Sequence, residues 1–135
     1  MKKPKAMNPK EWPRPSGYSN VVVGKGKIVA IAGQIGWDPR AKELVSGDFV
    51  QQSRQALANV LTALEAAGCG PEHLVRLTWY ITDRKAYLEN GKQLGKAYRE
   101  ELGKNYPAMS VVVVAGLLEE GALVEIEATA ILPGE

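Results

Sequence analysis

The chain has 135 residues, enough for one domain with its own core and too few for two. Its apolar fraction of 45% and charged fraction of 24% are those of a globular protein, which argues against a disordered or fibrous chain. A net charge of +2 gives no electrostatic footprint for nucleic acid or a membrane surface, and no apolar run approaches the roughly 18 residues of a membrane span.

Residues 1–15 carry Lys2, Lys3, Lys5 and Lys10 with Pro4 and Pro9, and read as an irregular basic arm of a single 1–135 domain. No apolar stretch follows these charges, so a secretory signal is not expected and a cytoplasmic location is. Residues 18–23 and 27–32 are β-prone runs on either side of Gly24-Lys25-Gly26 and predict a hairpin. Gly33-Gln34-Ile35-Gly36-Trp37-Asp38-Pro39 then predicts a constrained loop leaving the sheet.

The clearest helix follows. Asp48 is placed to cap it, Gln51 stands three residues on, and Gly68 supplies the stop. Phe49, Ser53, Leu57, Val60, Leu61, Leu64 and Ala67 recur at helical spacing on one face. Residues 74–82 alternate, with Val75, Leu77, Trp79 and Ile81 on one side and Arg76, Thr78, Tyr80 and Thr82 on the other, as a strand does. A second helix is predicted over about 84–102, with Tyr87, Leu94, Ala97 and Tyr98 inward and Gly91 and Gly95 as weak points. Strands over 109–115 and 122–132, separated by a turn at 118–121, complete the order β-β-α-β-α-β-β. That order predicts an α+β domain with a mixed sheet and two helices on one face.

Two helices leave the other sheet face uncovered. Val111, Val112, Val113 and Val114 make one strand apolar on both sides, which calls for cover on both. The last strand sends Val124, Ile126 and Ala128 one way and Glu125, Glu127 and Thr129 the other. With no third helix available, the missing cover is expected from further copies of the same chain.

Chemistry is constrained by scarcity. His73 is the only histidine and Cys69 the only cysteine, so a protein zinc site would need an unusual donor set and no disulfide can form within the chain. No metal and no cofactor are expected. His73 sits in a Gly-Cys-Gly-Pro-Glu-His turn and reads as a loop histidine, and Cys69 has no base beside it.

Several segments in register resemble the RidA/YjgF family, also called endoribonuclease L-PSP. They are Tyr18-Ser19, Ala32-Gly33-Gln34-Ile35 with Asp38-Pro39, and Gln52-Ser53-Arg54-Gln55-Ala56-Leu57-Ala58-Asn59 with Ala66-Ala67-Gly68. Further along come Thr78-Trp79-Tyr80-Ile81-Thr82-Asp83, Asn90, Pro107-Ala108-Met109-Ser110 and Val124-Glu125-Ile126-Glu127-Ala128. The resemblance spans residues 18–130 and implies a chorismate-mutase-like fold assembled as a homotrimeric barrel, with small-molecule clefts between subunits. It implies hydrolysis of reactive imines or enamines, with Glu125 catalytic through water and Tyr18, Gly33 and Asn90 lining the substrate site.

Two positions depart from the family pattern. Met109 stands where the family places an arginine that holds a substrate carboxylate, and Ala32 stands where serine is common. A thioether cannot form the bidentate, charge-assisted pair that a guanidinium makes. Met109 therefore predicts an altered, more hydrophobic substrate, for which Trp37 offers a stacking surface. Arg40 and Arg76 are possible replacements for the cation. The competing expectation is a non-catalytic trimer that binds a small molecule or has a regulatory role toward a protein partner. A ribonuclease is disfavoured, because there is no acid–base histidine pair and no basic, aromatic-studded stripe for RNA.

Overall fold

The computed structural model describes residues 2–134. Its main sheet has four strands: β3 (Lys27–Ile35), β6 (Leu74–Ile81), β7 (Ala108–Val113) and β8 (Val124–Leu132), in the order β3-β8-β6-β7. β8 runs antiparallel to both neighbours and β6 parallel to β7, so the sheet is mixed as the element order predicts. Helix α1 (Phe49–Ala66) starts where expected, with the Asp48 carboxylate accepting from the Gln51 N–H at 2.9 Å, and Gly68 leaves the helix at φ +79°. Phe49, Leu57, Val60 and Leu64 of α1 pack on Leu77, Trp79 and Ile81 of β6 and Val124, Ile126 and Ala128 of β8.

The predicted hairpin does not form. β2 (Val22–Val23) pairs instead with β1 (Lys5–Ala6) of the arm, so the arm is not wholly irregular, while residues 7–15 have neither helix nor strand. β3 pairs with β8 along nearly its whole length. A long ladder that buries Ile31 against Ala128 outcompetes a short local pairing, and sequence proximity gives no measure of that difference. The predicted loop after Ala32 is also corrected. Gly33 to Ile35 continue β3 through a bulge, and β4 (Trp37–Asp38) pairs with β5 (Glu43–Leu44).

The second helix is broken into α2 (Arg84–Glu89) and α3 (Gly91–Leu102). The break falls at Asn90, whose backbone N–H and side-chain amide both donate to the Ala86 carbonyl, the latter at 2.7 Å. An asparagine that satisfies the helix end locally removes the reason to propagate it. The helices cover one face of the sheet. On the open face, register places Thr78 beside Ser110, Tyr80 beside Val112, and Glu125 between Ile35 and Tyr80. Val111, Val112 and Val113 of the edge strand β7 are 37%, 41% and 51% exposed. No helix among the described residues is long and apolar enough to cross a membrane.

Candidate functional site

The candidate residues divide into two groups on opposite faces of the sheet. The first group lies under α3. Ser19 is fixed to the start of β7, its N–H donating to the Pro107 carbonyl at 2.9 Å and its hydroxyl to the Tyr106 carbonyl at 2.5 Å. That attachment brings Tyr18 beside Met109 in a cavity of about 610 Å³. Its walls are aromatic. Trp79 meets Tyr87 edge-on with centroids 6.0 Å apart, and Tyr98 stacks on Tyr106 at 5.4 Å. Burial and the neighbouring Tyr106 push the Tyr98 phenol far above the ordinary tyrosine value, and its hydroxyl donates to the Asn105 carbonyl. Trp79 is 3% exposed, yet its indole N–H has no acceptor. A buried unpaired donor costs about 1–3 kcal/mol, which the packing around Trp79 offsets.

Gly91 and Gly95 take on a different meaning here. Both line the cavity, on the α3 face shared with Leu94 and Tyr98. A Cβ built on Gly91 meets nothing within 4 Å, and one on Gly95 meets only the end of the Arg99 side chain, 3.2 Å from a guanidinium nitrogen. Packing within the chain therefore does not require either glycine, although glycine inside a helix costs about 1 kcal/mol relative to alanine. What the two positions provide is room.

The second group lies on the open face. The bulge in β3 sets Ala32 and Gly33 opposite β8 where one residue would normally pair. A Cβ on Gly33 would collide with the Glu125 carboxylate, so glycine is the residue that lets this acid lie across the strand. On the same face the Tyr80 hydroxyl donates to the Glu127 carboxylate. That bond is the main cause of a raised Tyr80 phenol; partial burial and the fields of Glu127 and Glu125 add to it, and Arg76 opposes it. The loop after the bulge is held from α1. The Asn59 amide donates to the Trp37 carbonyl at 2.8 Å, and the wholly buried Gln52 amide donates to Ser46 and Gly121 carbonyls and accepts from the Leu123 N–H.

Thus Tyr18 and Met109 are brought together, as are Gly33 and Glu125, but one chain does not unite the two groups. Met109 pairs in register with Leu77, which faces the helices, whereas Glu125 pairs with Tyr80 on the open side. Trp37 does not line the cavity, and Asn90 spends its amide on the helix break one residue before the cavity-lining Gly91. Of the cations weighed from sequence, Arg40 is in an exposed turn and Arg76 is on the open face, with a nitrogen 3.4 Å from the Ser110 hydroxyl. The charged residue that does line the cavity is Arg99. Its spacing from Gly91 and Gly95 by eight and four positions put it on their helical face, a signal the sequence reading passed over. Alternation put Tyr80 and Glu127 on the polar faces of their strands, but their pairing came only with the fold. His73 has a structural part, its Nδ1 accepting from the Gly70 N–H at 3.0 Å, and burial raises the Cys69 thiol.

The family model described as endoribonuclease L-PSP matches residues 11–132. A RutC family protein of Pyrococcus horikoshii is 36% identical over 118 residues, covering 87% of this chain and 90% of that one. The human 2-iminobutanoate/2-iminopropanoate deaminase is 35% identical over 114 residues, 84% of this chain and 79% of that one. Among solved structures, a Rid family protein of Yersinia pestis superposes with a TM-score of 0.85 at 32% identity, covering 97% of this chain and 100% of that one. RidA from an Antarctic Psychrobacter gives 0.68 at 32% identity, over 95% and 99%. The order of elements, the mixed sheet with helices on one face and these similarities agree: the chain belongs to the RidA/YjgF family, the family of endoribonuclease L-PSP.

Proposed function

We propose that three copies of the chain assemble with their open sheet faces inward, and that the clefts between them hydrolyse a reactive imine or enamine to the carbonyl compound and ammonia. The observation that carries this reading is the separation of Met109 and Glu125 on opposite faces of one sheet. A second copy laid against the exposed β7 valines would set the Glu125 and Gly33 of one chain facing the Tyr18 and Met109 cavity of its neighbour. It would also remove from water apolar surface worth about 25 cal/mol per Å².

In such a cleft Glu125 accepts a proton from water as the oxygen adds to the C=N carbon. The imine nitrogen is protonated when water adds, so a neutral carbinolamine results; the proton on Glu125 then passes to its nitrogen, and as the C–N bond breaks Glu125 takes the hydroxyl proton, leaving the carbonyl compound and ammonia. Tyr18 orients the substrate from the cavity side. Met109 supplies an apolar wall where the family pattern has a cation, so short 2-imino acids are poor substrates and planar, more hydrophobic imines are preferred. The small molecule is the only partner required; no cofactor or metal enters the reaction, and RNA cleavage lacks a histidine pair because His73 is the sole histidine and is engaged in its turn.

An amino-acid oxidase can generate 2-iminobutanoate or 2-imino-3-phenylpropanoate in the presence of the protein, with ammonia release followed over the spontaneous rate and mass measured by light scattering. The expected result is a trimer that accelerates release from the aromatic imine more than from the short one. Glu125→Gln should lower that acceleration about 10²- to 10⁴-fold. A monomeric particle at micromolar concentration, or equal rates for wild type and Glu125→Gln, refutes the proposal. The loss of the family's arginine at Met109 favours one other reading, a trimer that binds without turnover. Ligand binding with no acceleration on either imine would select it.

A further inference from the structure

We infer that Arg99 supplies the anion-binding group of the cavity under α3, and that the preferred ligand is a planar unsaturated or aromatic acid whose anionic group stands away from the reacting carbon. The inference deepens the proposed function and rests on it for the reaction, though not for the binding site itself.

The arrangement of polarity in the cavity carries the argument. Tyr87, Tyr98, Tyr106 and Trp79 supply faces and edges for a flat skeleton, with Met109 at β7. Arg99 is the cation of the lining, and no carboxylate lies within salt-bridge distance of it among the described residues, where Arg54 rather than Arg99 pairs with Glu100. A guanidinium without a partner at the rim of an aromatic cavity is a ready acceptor of carboxylate. Gly95 lies one helical turn back, and its lack of a side chain makes room for the Arg99 guanidinium, a nitrogen of which would stand 3.2 Å from a Cβ there.

The unpaired Trp79 indole N–H is sealed from solvent and gives the cavity no donor, so Arg99 is its polar anchor. One cation on α3 beside aromatic walls fits a ligand whose anionic group stands at one end of a flat apolar body better than a compact 2-imino acid, whose polar atoms all sit together. With methionine at position 109, a carboxylate placed beside the C=N carbon would have no cation there to meet.

The test uses the full-length protein and calorimetric titration with trans-cinnamate, the neutral cinnamamide and 2-oxobutanoate. Wild type should bind cinnamate at least about tenfold more tightly than cinnamamide or 2-oxobutanoate, the scale of one charge-assisted contact. Arg99→Ala should abolish the preference for cinnamate over its amide, and Arg99→Lys should retain part of it. Unchanged far-UV circular dichroism of both variants is required for the comparison, and Arg99→Lys is the less disruptive of the two. Cinnamate binding that is undetectable in wild type, or equal in wild type and Arg99→Ala, overturns the inference. The two proposals fail separately. Loss of the cinnamate preference in Arg99→Ala, together with no imine turnover by wild type, upholds Arg99 and removes the deaminase. Imine turnover with cinnamate binding indifferent to Arg99 does the reverse.

Discussion

Gly95→Ala tests whether the room under α3 belongs to a ligand. The position is inside α3, and the added methyl would meet only the mobile end of Arg99, 3.2 Å away. Helix propensity then favours alanine by about 1 kcal/mol, and part of the gain comes from a less flexible unfolded chain. For a chain of this size about 1 kcal/mol raises the melting temperature by roughly 3–4 °C. The same methyl crowds the Arg99 guanidinium in the cavity lining and shifts it from its place, so cinnamate should bind several-fold more weakly. Thermal unfolding by circular dichroism and calorimetric titration measure the two effects on one preparation. Opposite changes, greater stability with weaker binding, are expected. A lower melting temperature would show that a packed surface needs the glycine and would refute the assignment of this space to a ligand. So would higher stability with unchanged affinity.

Gly33→Ala should displace the Glu125 carboxylate from its place across β3 while costing only about 0.5–1.5 kcal/mol of rotamer strain, because the Gly33 backbone is not left-handed. Its imine turnover should fall toward that of Glu125→Gln, and the double variant should be no worse than Glu125→Gln alone. Met109→Arg should raise ammonia release from 2-iminobutanoate above wild type; an unchanged rate would show that the methionine is not what limits short substrates. Gln52→Ala leaves the Ser46 and Gly121 carbonyls and the Leu123 N–H without their partner, and should cost about 3 kcal/mol or more in chemical denaturation. Tyr98→Phe loses one hydrogen bond, about 1 kcal/mol at neutral pH. Because burial raises the Tyr98 phenol in the folded state, wild type loses stability as pH rises above the ordinary tyrosine value near 10, and the variant does not lose that share. Denaturation curves for the two should therefore converge with rising pH; a constant gap would show that Tyr98 does not titrate differently in the folded chain.

Local chemistry made much of this protein legible from its residues. Asp48, the apolar spacing of α1 and Gly68 specify that helix from within a short window, and the alternation in β6 and β8 assigns each side chain to a face whatever the strand pairs with. The consecutive valines of β7 announced a strand with no single buried side, and all three of its valines at 111–113 are exposed in one chain. Register of motifs carried the family, because many short segments fall in one order along the chain, within the residues 11–132 that the family model matches.

The tertiary structure alone decided the partners. β3 joins β8, about a hundred residues away, because strand pairing is settled by the length and burial of the competing ladders rather than by the nearest glycine turn. It also decided that Met109 and Glu125 lie back to back, that Gly91 and Gly95 hollow out a cavity instead of merely weakening a helix, and that Arg99 stands at its rim. A sequence records which side chains share an element's face. Which face meets which is fixed only when distant segments compete for the same buried surface.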